Sequence, residues 1–197
     1  IMAQVKKSIL GYGKKFMQEK GIELFASRVS HFIREELEVE YAFDTKLFAP
    51  PLYWPERAQV TRFRERNKLQ HYTPAESLVN FLKRFPNALY IGFGSMVNAQ
   101  PAAIGNDILQ VCGEKNIPVV INKSWGGIEI PQTLPDWAFE IDNVPFDYLF
   151  PKVAYIIHHG GSGTTHSAFR CGKPQAIIPH IGDQFFWNRQ IELQGCG

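Results

Sequence analysis

The chain has 197 residues, with 21 Lys and Arg against 19 Asp and Glu, a formal net charge of +2, and 45% hydrophobic and 13% aromatic residues. Charges of both signs are interspersed, which removes a strong electrostatic case for nucleic acid, while the aromatic content supports a sizeable core in one large domain, or in one domain with part of another. Three cysteines, Cys112, Cys171 and Cys196, are odd in number and lack a Cys-x-x-Cys spacing, and no apolar stretch approaches a membrane span, so we expect a cytoplasmic protein with room for peripheral membrane contact.

The start shows no secretory pattern. Because the chain begins at Ile1 and stops at Gly197 just after a helix-like run, we expect a fragment of a longer protein. Residues 1–43 are mixed and moderately helical, with Ile22, Phe25, Val29 and Phe32 near one face of a helix, and Lys6, Lys7, Lys14 and Lys15 form a basic cluster read as a solvated face. Residues 49–55 carry three prolines, each of which removes a backbone donor, and read as a linker whose aromatics pin it to a surface. Thr73-Pro74-Ala75-Glu76 predicts a capping box, followed by a helix with Leu78, Phe81, Leu82 and Phe85 as its buried stripe. Beyond it the pattern becomes regular. Strands are predicted at 89–93, 118–121, 138–141, 154–158 and 175–178, and helices at 101–115, 146–150, 164–171 and 184–193. Such alternation predicts an α/β fold with a Rossmann-like parallel sheet, preceded by a partial N-terminal segment.

The most informative stretch is His158-His159-Gly160-Gly161-Ser162-Gly163-Thr164-Thr165. An apolar strand that breaks into glycines and then small hydroxyl residues predicts a strand-to-helix turn with Ser162 or Thr164 as helix cap, and a helix start of this kind is an anion site suited to a diphosphate. A P-loop is excluded because Thr164, not Lys, follows Gly163. The dinucleotide fingerprint is weakened by His166 where its third Gly belongs, although Asp183 lies near the distance of a ribose-binding acid. In a parallel sheet, ligands gather at the carboxyl ends of the strands, and five unusual loops fall there: those at Gly94-Ser95, Trp125-Gly126-Gly127, Val144-Pro145-Phe146, 159–164 and 179–184. They read as one cleft.

Gly92-Phe93-Gly94-Ser95-Met96, the run from Val144 to Phe150, the His-His-Gly-Gly-Ser-Gly-Thr-Thr run and Gly182-Asp183-Gln184-Phe185-Phe186-Trp187 together resemble sterol 3-beta-glucosyltransferases. These are family 1 UDP-glycosyltransferases of the GT-B type, and the likeness covers roughly residues 47–197. The resemblance implies two Rossmann-like domains, with the C-terminal one holding the donor. It divides the chain into 1–48, the tail of an acceptor-binding domain, 49–72, an interdomain linker, and 73–197, a UDP-sugar-binding domain truncated at its end. Residue by residue it implies that His159, Ser162, Gly163 and Thr164 hold the diphosphate, that Val144 and Phe146 frame the uracil, and that Asp183 and Gln184 bond the sugar hydroxyls. Trp125 beside the base and Ser95 beside the phosphates are secondary candidates. Phe146 stands where many relatives have His. The implied reaction is inverting transfer of glucose from UDP-glucose to the hydroxyl of a sterol or similar lipid, with no metal and no cofactor beyond the donor substrate.

Plainer readings stand beside these. His158 reads as a packed core residue and His166 as a helix-surface one; successive strand residues face opposite ways, so the two adjacent histidines are poorly placed to chelate one ion. Phe185, Phe186 and Trp187 read as core, and Asp183 as a helix cap. The catalytic base is unassigned, since the family's N-terminal donor loop has no counterpart here. Other readings remain: a different acceptor such as a glycopeptide or polyketide aglycone, a donor-binding subunit that works with a separate partner chain, and a nicotinamide-dependent oxidoreductase.

Overall fold

The computed structural model describes residues 15–16, 19–21, 38–64, 69–123 and 125–197. The expected helix face at Ile22, Phe25, Val29 and Phe32, and Lys6, Lys7 and Lys14, lie outside them. Contacts divide the chain into two units: residues up to Tyr41 with Leu52–Gln59, and Ala42–Pro51 with Val60–Gly197. In the first, the Val39 N–H donates to Arg57 O at 3.0 Å and the Tyr41 and Trp54 rings lie 4.5 Å apart. Of the two aromatics expected to pin the linker to a surface, Tyr53 is exposed, contrary to expectation, whereas Trp54 is half-buried beside Tyr41.

The second unit is built on five parallel strands: β1 (Leu89–Gly92), β2 (Val119–Asn122), β3 (Ala138–Ile141), β4 (Tyr155–His158) and β5 (Gln175–Ile177). Their order is β3-β2-β1-β4-β5. Leu89 is in register with Val119 and Tyr155, and Gly92 with Asn122 and His158. The helices are α1 (Glu76–Arg84), α2 (Pro101–Glu114), α3 (Phe146–Leu149), α4 (Ser162–Arg170) and α5 (Gln184–Leu193). The predicted α/β fold with a parallel sheet is therefore present, and the chain order reverses direction across the sheet between β1 and β4.

Apolar side chains on both faces of the strands explain the double covering. Tyr90, Val120 and Ile156 pack with Leu78, Phe81 and Leu82 of α1 and Ala168 of α4. Ile91, Val119 and Ile121 pack on the other face with Cys112, Ile104 and Ile108 of α2. The buried Tyr90 hydroxyl accepts a hydrogen bond from Asn122 Nδ2 at 3.2 Å, and burial pushes its pKa well above the usual phenol range.

Two capping expectations are corrected. Helix α1 starts at Glu76 with Ala75 as N-cap, so Thr73 closes no capping box. Helix α4 starts at Ser162 itself, with Gly161 as N-cap and no side-chain cap bond. Pro74 in the first case, and Gly161 in the second, set the backbone entry without a side-chain oxygen.

Gly105, inside α2, sits against the Glu129 carbonyl, where any Cβ would collide with backbone. The Glu129 N–H also donates to Pro101 O at 3.0 Å, which fixes this approach. Gly105→Ala is expected to destabilise the fold by about 1–3 kcal/mol, because overpacking against backbone cannot relax by a rotamer change; a urea-unfolding midpoint that does not fall would contradict this packing.

Candidate functional site

Because all five strands are parallel, the loops singled out in the sequence lie at one edge of the sheet, at the carboxyl ends. The reversal between β1 and β4 is where such sheets open a crevice. The loop after β1 carries Gly94 and the loop after β4 carries His159, and these two meet: a Cβ on Gly94 would come within 2.7 Å of His159 Cε1. A Cβ on Gly161 would come within 2.5 Å of His159 Nε2, the atom bonded to that same carbon. The imidazole is thus packed against two glycine backbones, one of them the N-cap of α4.

His159 is buried, 9% exposed, and its Nδ1 has no hydrogen-bond partner. Burial, reinforced by the neighbouring His180, holds the ring below the usual imidazole range, with Asp183 acting in the opposite sense. Beside it the first turn of α4 has no cap side chain, so its leading N–H groups keep the partial positive character of an uncapped helix start. The Thr165 N–H is the first to be satisfied, by Gly161 O at 3.0 Å. Gly163 is exposed, Ser162 and Thr164 half-buried. Phe63 flanks this turn, its Cζ 3.8 Å from a Cβ on Gly163.

His158 faces the other way. Its Nε2–H donates to Gln175 Oε1 at 2.9 Å, and its Nδ1 accepts from the Gly160 N–H at 3.0 Å. This is the satisfied core histidine expected from the sequence. His166, expected on a helix surface, is instead fully buried. Its Nδ1–H donates to Ser162 O at 2.7 Å, its Nε2 accepts from the Asp44 N–H at 3.1 Å, and its ring stacks on Phe63 with centroids 4.4 Å apart. The partners that bury it come from residues 44 and 63, far away in sequence.

Asp183 is exposed at the start of α5. It makes no capping bond; its Oδ2 accepts from Trp187 Nε1 at 3.0 Å. Trp187 is buried as expected, but Phe185 and Phe186 are exposed at 58% and 38%, so those two are not core. Gln184 is 4% exposed, and its Oε1 accepts from the His180 and Ile181 N–H groups at 2.7 and 3.0 Å. The carboxamide expected to grip hydroxyls is already engaged.

The remaining candidates spread along the edge. Ser95 is exposed in the turn after β1, and Trp125 is 82% exposed after β2. Gly126 beside it lines a hollow of about 270 Å³ with Lys123 and Glu140, none of whose lining residues belongs to the His159 group. Val144 packs at the margin of the core, and Phe146 stacks on Phe150 at 4.4 Å and meets Tyr90 edge-on, which commits one face of its ring to the protein. Among the described residues no group of three or more His, Cys, Asp or Glu could hold a metal.

Residues 107–197 match the family described as erythromycin biosynthesis protein CIII-like, C-terminal domain. That match takes in somewhat less than half of the chain. Among curated proteins the chain is similar to sterol 3-beta-glucosyltransferase UGT80A2 of Arabidopsis thaliana, 32% identical over 157 residues, 80% of this chain and 25% of the relative. It is also similar to the sterol 3-beta-glucosyltransferase of Yarrowia lipolytica, 30% identical over 194 residues, 91% of this chain and 13% of that one. The chain therefore spans a quarter or less of these relatives' lengths. Among solved structures, spinosyn forosaminyltransferase SpnP aligns with a TM-score of 0.55 over 79% of this chain and 38% of that one at 21% identity, which establishes the GT-B-type fold. The matched stretch takes in His159, α4, Asp183 and Gln184, while Gly94 and Phe63 lie upstream of it.

Sequence reading missed His180 and Asn98. His180 Nε2 bonds Asn98 Oδ1 at 3.1 Å, its Nδ1 bonds Ile178 O at 2.8 Å, and Asn98 Nδ2 donates to Gly127 O at 2.7 Å. This run of bonds ties the loops after β1, β2 and β5 together, and no local motif announces it.

The buried pair at the end of β4 has a pH signature. Burial pulls His158 down to about 4, so the folded ring stays neutral while an unfolded one takes a proton below about 6.5. Stability present above pH 6.5 is therefore lost as pH falls toward 4, by about 3 kcal/mol from this residue. Urea unfolding at a series of pH values should show that slope in the wild type and a shallower one in His158→Gln; equal slopes would remove the assignment.

Proposed function

We propose that this chain binds a UDP-sugar, UDP-glucose in the first instance, and serves as the donor-binding part of an enzyme that transfers glucose to the hydroxyl of a sterol or similar lipid alcohol. The observation that carries the reading is the buried His159 imidazole packed against the Gly94 and Gly161 backbones at the uncapped start of α4. With Nδ1 sealed inside, the neutral ring carries its proton on Nε2, the edge beside Gly161, where it can donate to a phosphate oxygen.

The chemistry matches that placement. In transfer from a nucleotide sugar the acceptor oxygen bonds to the anomeric carbon as the bond from that carbon to the diphosphate oxygen breaks, and the acceptor proton passes to a base. Positive charge grows on the sugar and negative charge on the departing diphosphate. Fixed N–H donors of a helix start and one imidazole lie where the negative charge develops, and they need no reorganisation as it forms. Ser162, Gly163 and Thr164 supply the helix start. Asp183, exposed and near enough to influence His159, is the acceptor for sugar hydroxyls. The uracil falls to the loops of Val144 and Trp125, with the open side of Phe146 beside it.

The sterol acceptor rests on the relatives that align with most of this chain, all named sterol 3-beta-glucosyltransferases. A natural-product aglycone is the second reading, favoured by the erythromycin and spinosyn names attached to the domain family and to a structural neighbour. The proton-accepting base has no candidate among the described residues of the second unit.

Calorimetry of UDP and UDP-glucose against the 197-residue chain tests the donor site. His159→Ala should weaken both ligands alike, by roughly 10- to 100-fold for a lost hydrogen bond to a charged group, whereas Asp183→Ala should weaken UDP-glucose alone by about tenfold. NAD binding in preference to UDP, or equal affinities in all three proteins, would sink the reading. Transfer assays offering sterols and polyketide aglycones then separate the two acceptors.

A further inference from the structure

His180 stands where three loops of the carboxyl edge meet, and both of its ring nitrogens face oxygen. Nδ1 lies 2.8 Å from Ile178 O, and Nε2 lies 3.1 Å from Asn98 Oδ1 in the loop after β1. A backbone carbonyl only accepts, so the first contact requires a proton on Nδ1. The second contact is decided on the far side of the Asn98 amide. Its Nδ2 donates to Gly127 O at 2.7 Å in the loop after β2, and because that oxygen also only accepts, the amide has one orientation, with Oδ1 turned to the ring. Nε2 therefore needs a proton as well. A neutral imidazole has one N–H and leaves a lone pair against the other oxygen, whereas the doubly protonated ring donates to both. The ring is half-buried beside Phe93, with centroids 5.3 Å apart, so a proton can still come and go.

We propose that His180 is a proton-operated clasp: with two ring protons it joins the loop after β5 to the loop after β1 and, through Asn98, to the loop after β2, and with one it releases Asn98. Nδ1 makes the shorter contact, within its own loop, and keeps the remaining proton. The link matters because β4 stands between β1 and β5 in the sheet, so side chains and not strand pairing connect their loops. With the clasp open, the bond from Gln184 Nε2 to Met96 Sδ at 3.3 Å remains between them, and sulfur is a weak acceptor. The charged and titratable groups nearby come from other elements. His159 in the loop after β4 feels the charge of His180, and Asp183 acts on His159 in the opposite sense. Lys123, just after β2, is paired with Glu140. The side chains that touch the His180 ring, Phe93 and Asn98, carry no charge. The clasp is independent of what the crevice binds, and it makes the firmness of that edge depend on pH, closed on the acid side and loosened as the ring becomes neutral.

Nitrogen NMR of the ligand-free 197-residue chain tests this, on wild type, His180→Phe and Asn98→Ala, at a series of pH values from about 5 to 8, the range in which imidazoles change charge. At the acid end both ring nitrogens of His180 should carry protons, and as pH rises Nε2 should lose its proton while Nδ1 keeps one. The Asn98 side-chain amide and the Gly127 backbone amide should shift with the same midpoint as the ring. His180→Phe keeps an aromatic ring beside Phe93 but has no N–H, and in it both signals should lose that transition. In Asn98→Ala the ring should still titrate while Gly127 no longer follows. A His180 ring whose protonation does not change over the range, a neutral ring protonated at Nε2, or Asn98 and Gly127 signals that keep the same transition in His180→Phe would each overturn the clasp. If His180→Phe does not fold, Asn98→Ala decides alone: a Gly127 transition that persists there overturns it equally. No ligand enters these measurements, so their failure leaves the donor site to the calorimetry above.

Discussion

Two glycine backbones leave the gap that the His159 ring fills, and the geometry of the carboxyl edge follows from that fit. Gly94 has a positive φ of 59°, a conformation that side chains resist, so the turn after β1 can pass the ring closely only as glycine. Gly161, the N-cap of α4, stands against Nε2 of the same ring. A Cβ at either position would push the imidazole off the helix start, separating the ring from the N–H groups it stands beside. The pairing of Gly92 with His158 in register places the two loops side by side before any side chain is considered.

Behind this front the polar groups are arranged so that few compete for the site. His158 is satisfied by Gln175 and Gly160, His166 by Ser162 and Asp44, and Gln184 by the loop it closes. The effect is selective: of the three histidines around the His-His-Gly-Gly run, only His159 carries a buried nitrogen without a partner. His166 has a structural role of its own. It joins α4 to residues 44 and 63 in the same unit through one hydrogen bond and one stacked ring, so the helix whose start faces the crevice is braced from its buried side.

What could be read from the sequence was whatever repeats locally or sits at a strand end. The five strands and α5 were legible because short apolar runs bounded by Gly and Pro leave little choice of element, and the common edge followed from all strands running one way. The caps were not legible: Thr73 and Ser162 have the right chemistry, yet α1 begins beyond Thr73 and α4 begins at Ser162 itself, with Gly161 as its N-cap. His166 was misjudged, and the bonds that engage Gln184 were not foreseen, for one shared reason. Periodicity describes a helix in isolation, whereas residues 44, 63, 96 and 180 that engage these two side chains come from elsewhere in the chain. Phe185 and Phe186 erred in the opposite direction, since aromatic character was taken for burial on a helix end that has little packed against it.

The electrostatics of the site favour fixed dipoles over mobile charge. The chain is close to neutral overall, and burial keeps His159 below the ordinary imidazole range, so a permanent cation is not what draws an anion here. An uncapped helix start carries about half a positive charge with no proton to lose, and an imidazole that is neutral when empty donates one directed hydrogen bond. His180 disfavours the charged ring and Asp183 favours it, so the two flanking groups pull in opposite directions. A diphosphate placed beside Nε2 would add to the side of Asp183. The tether of His180 to Asn98 therefore bears on the charge of the ring as well as on loop position.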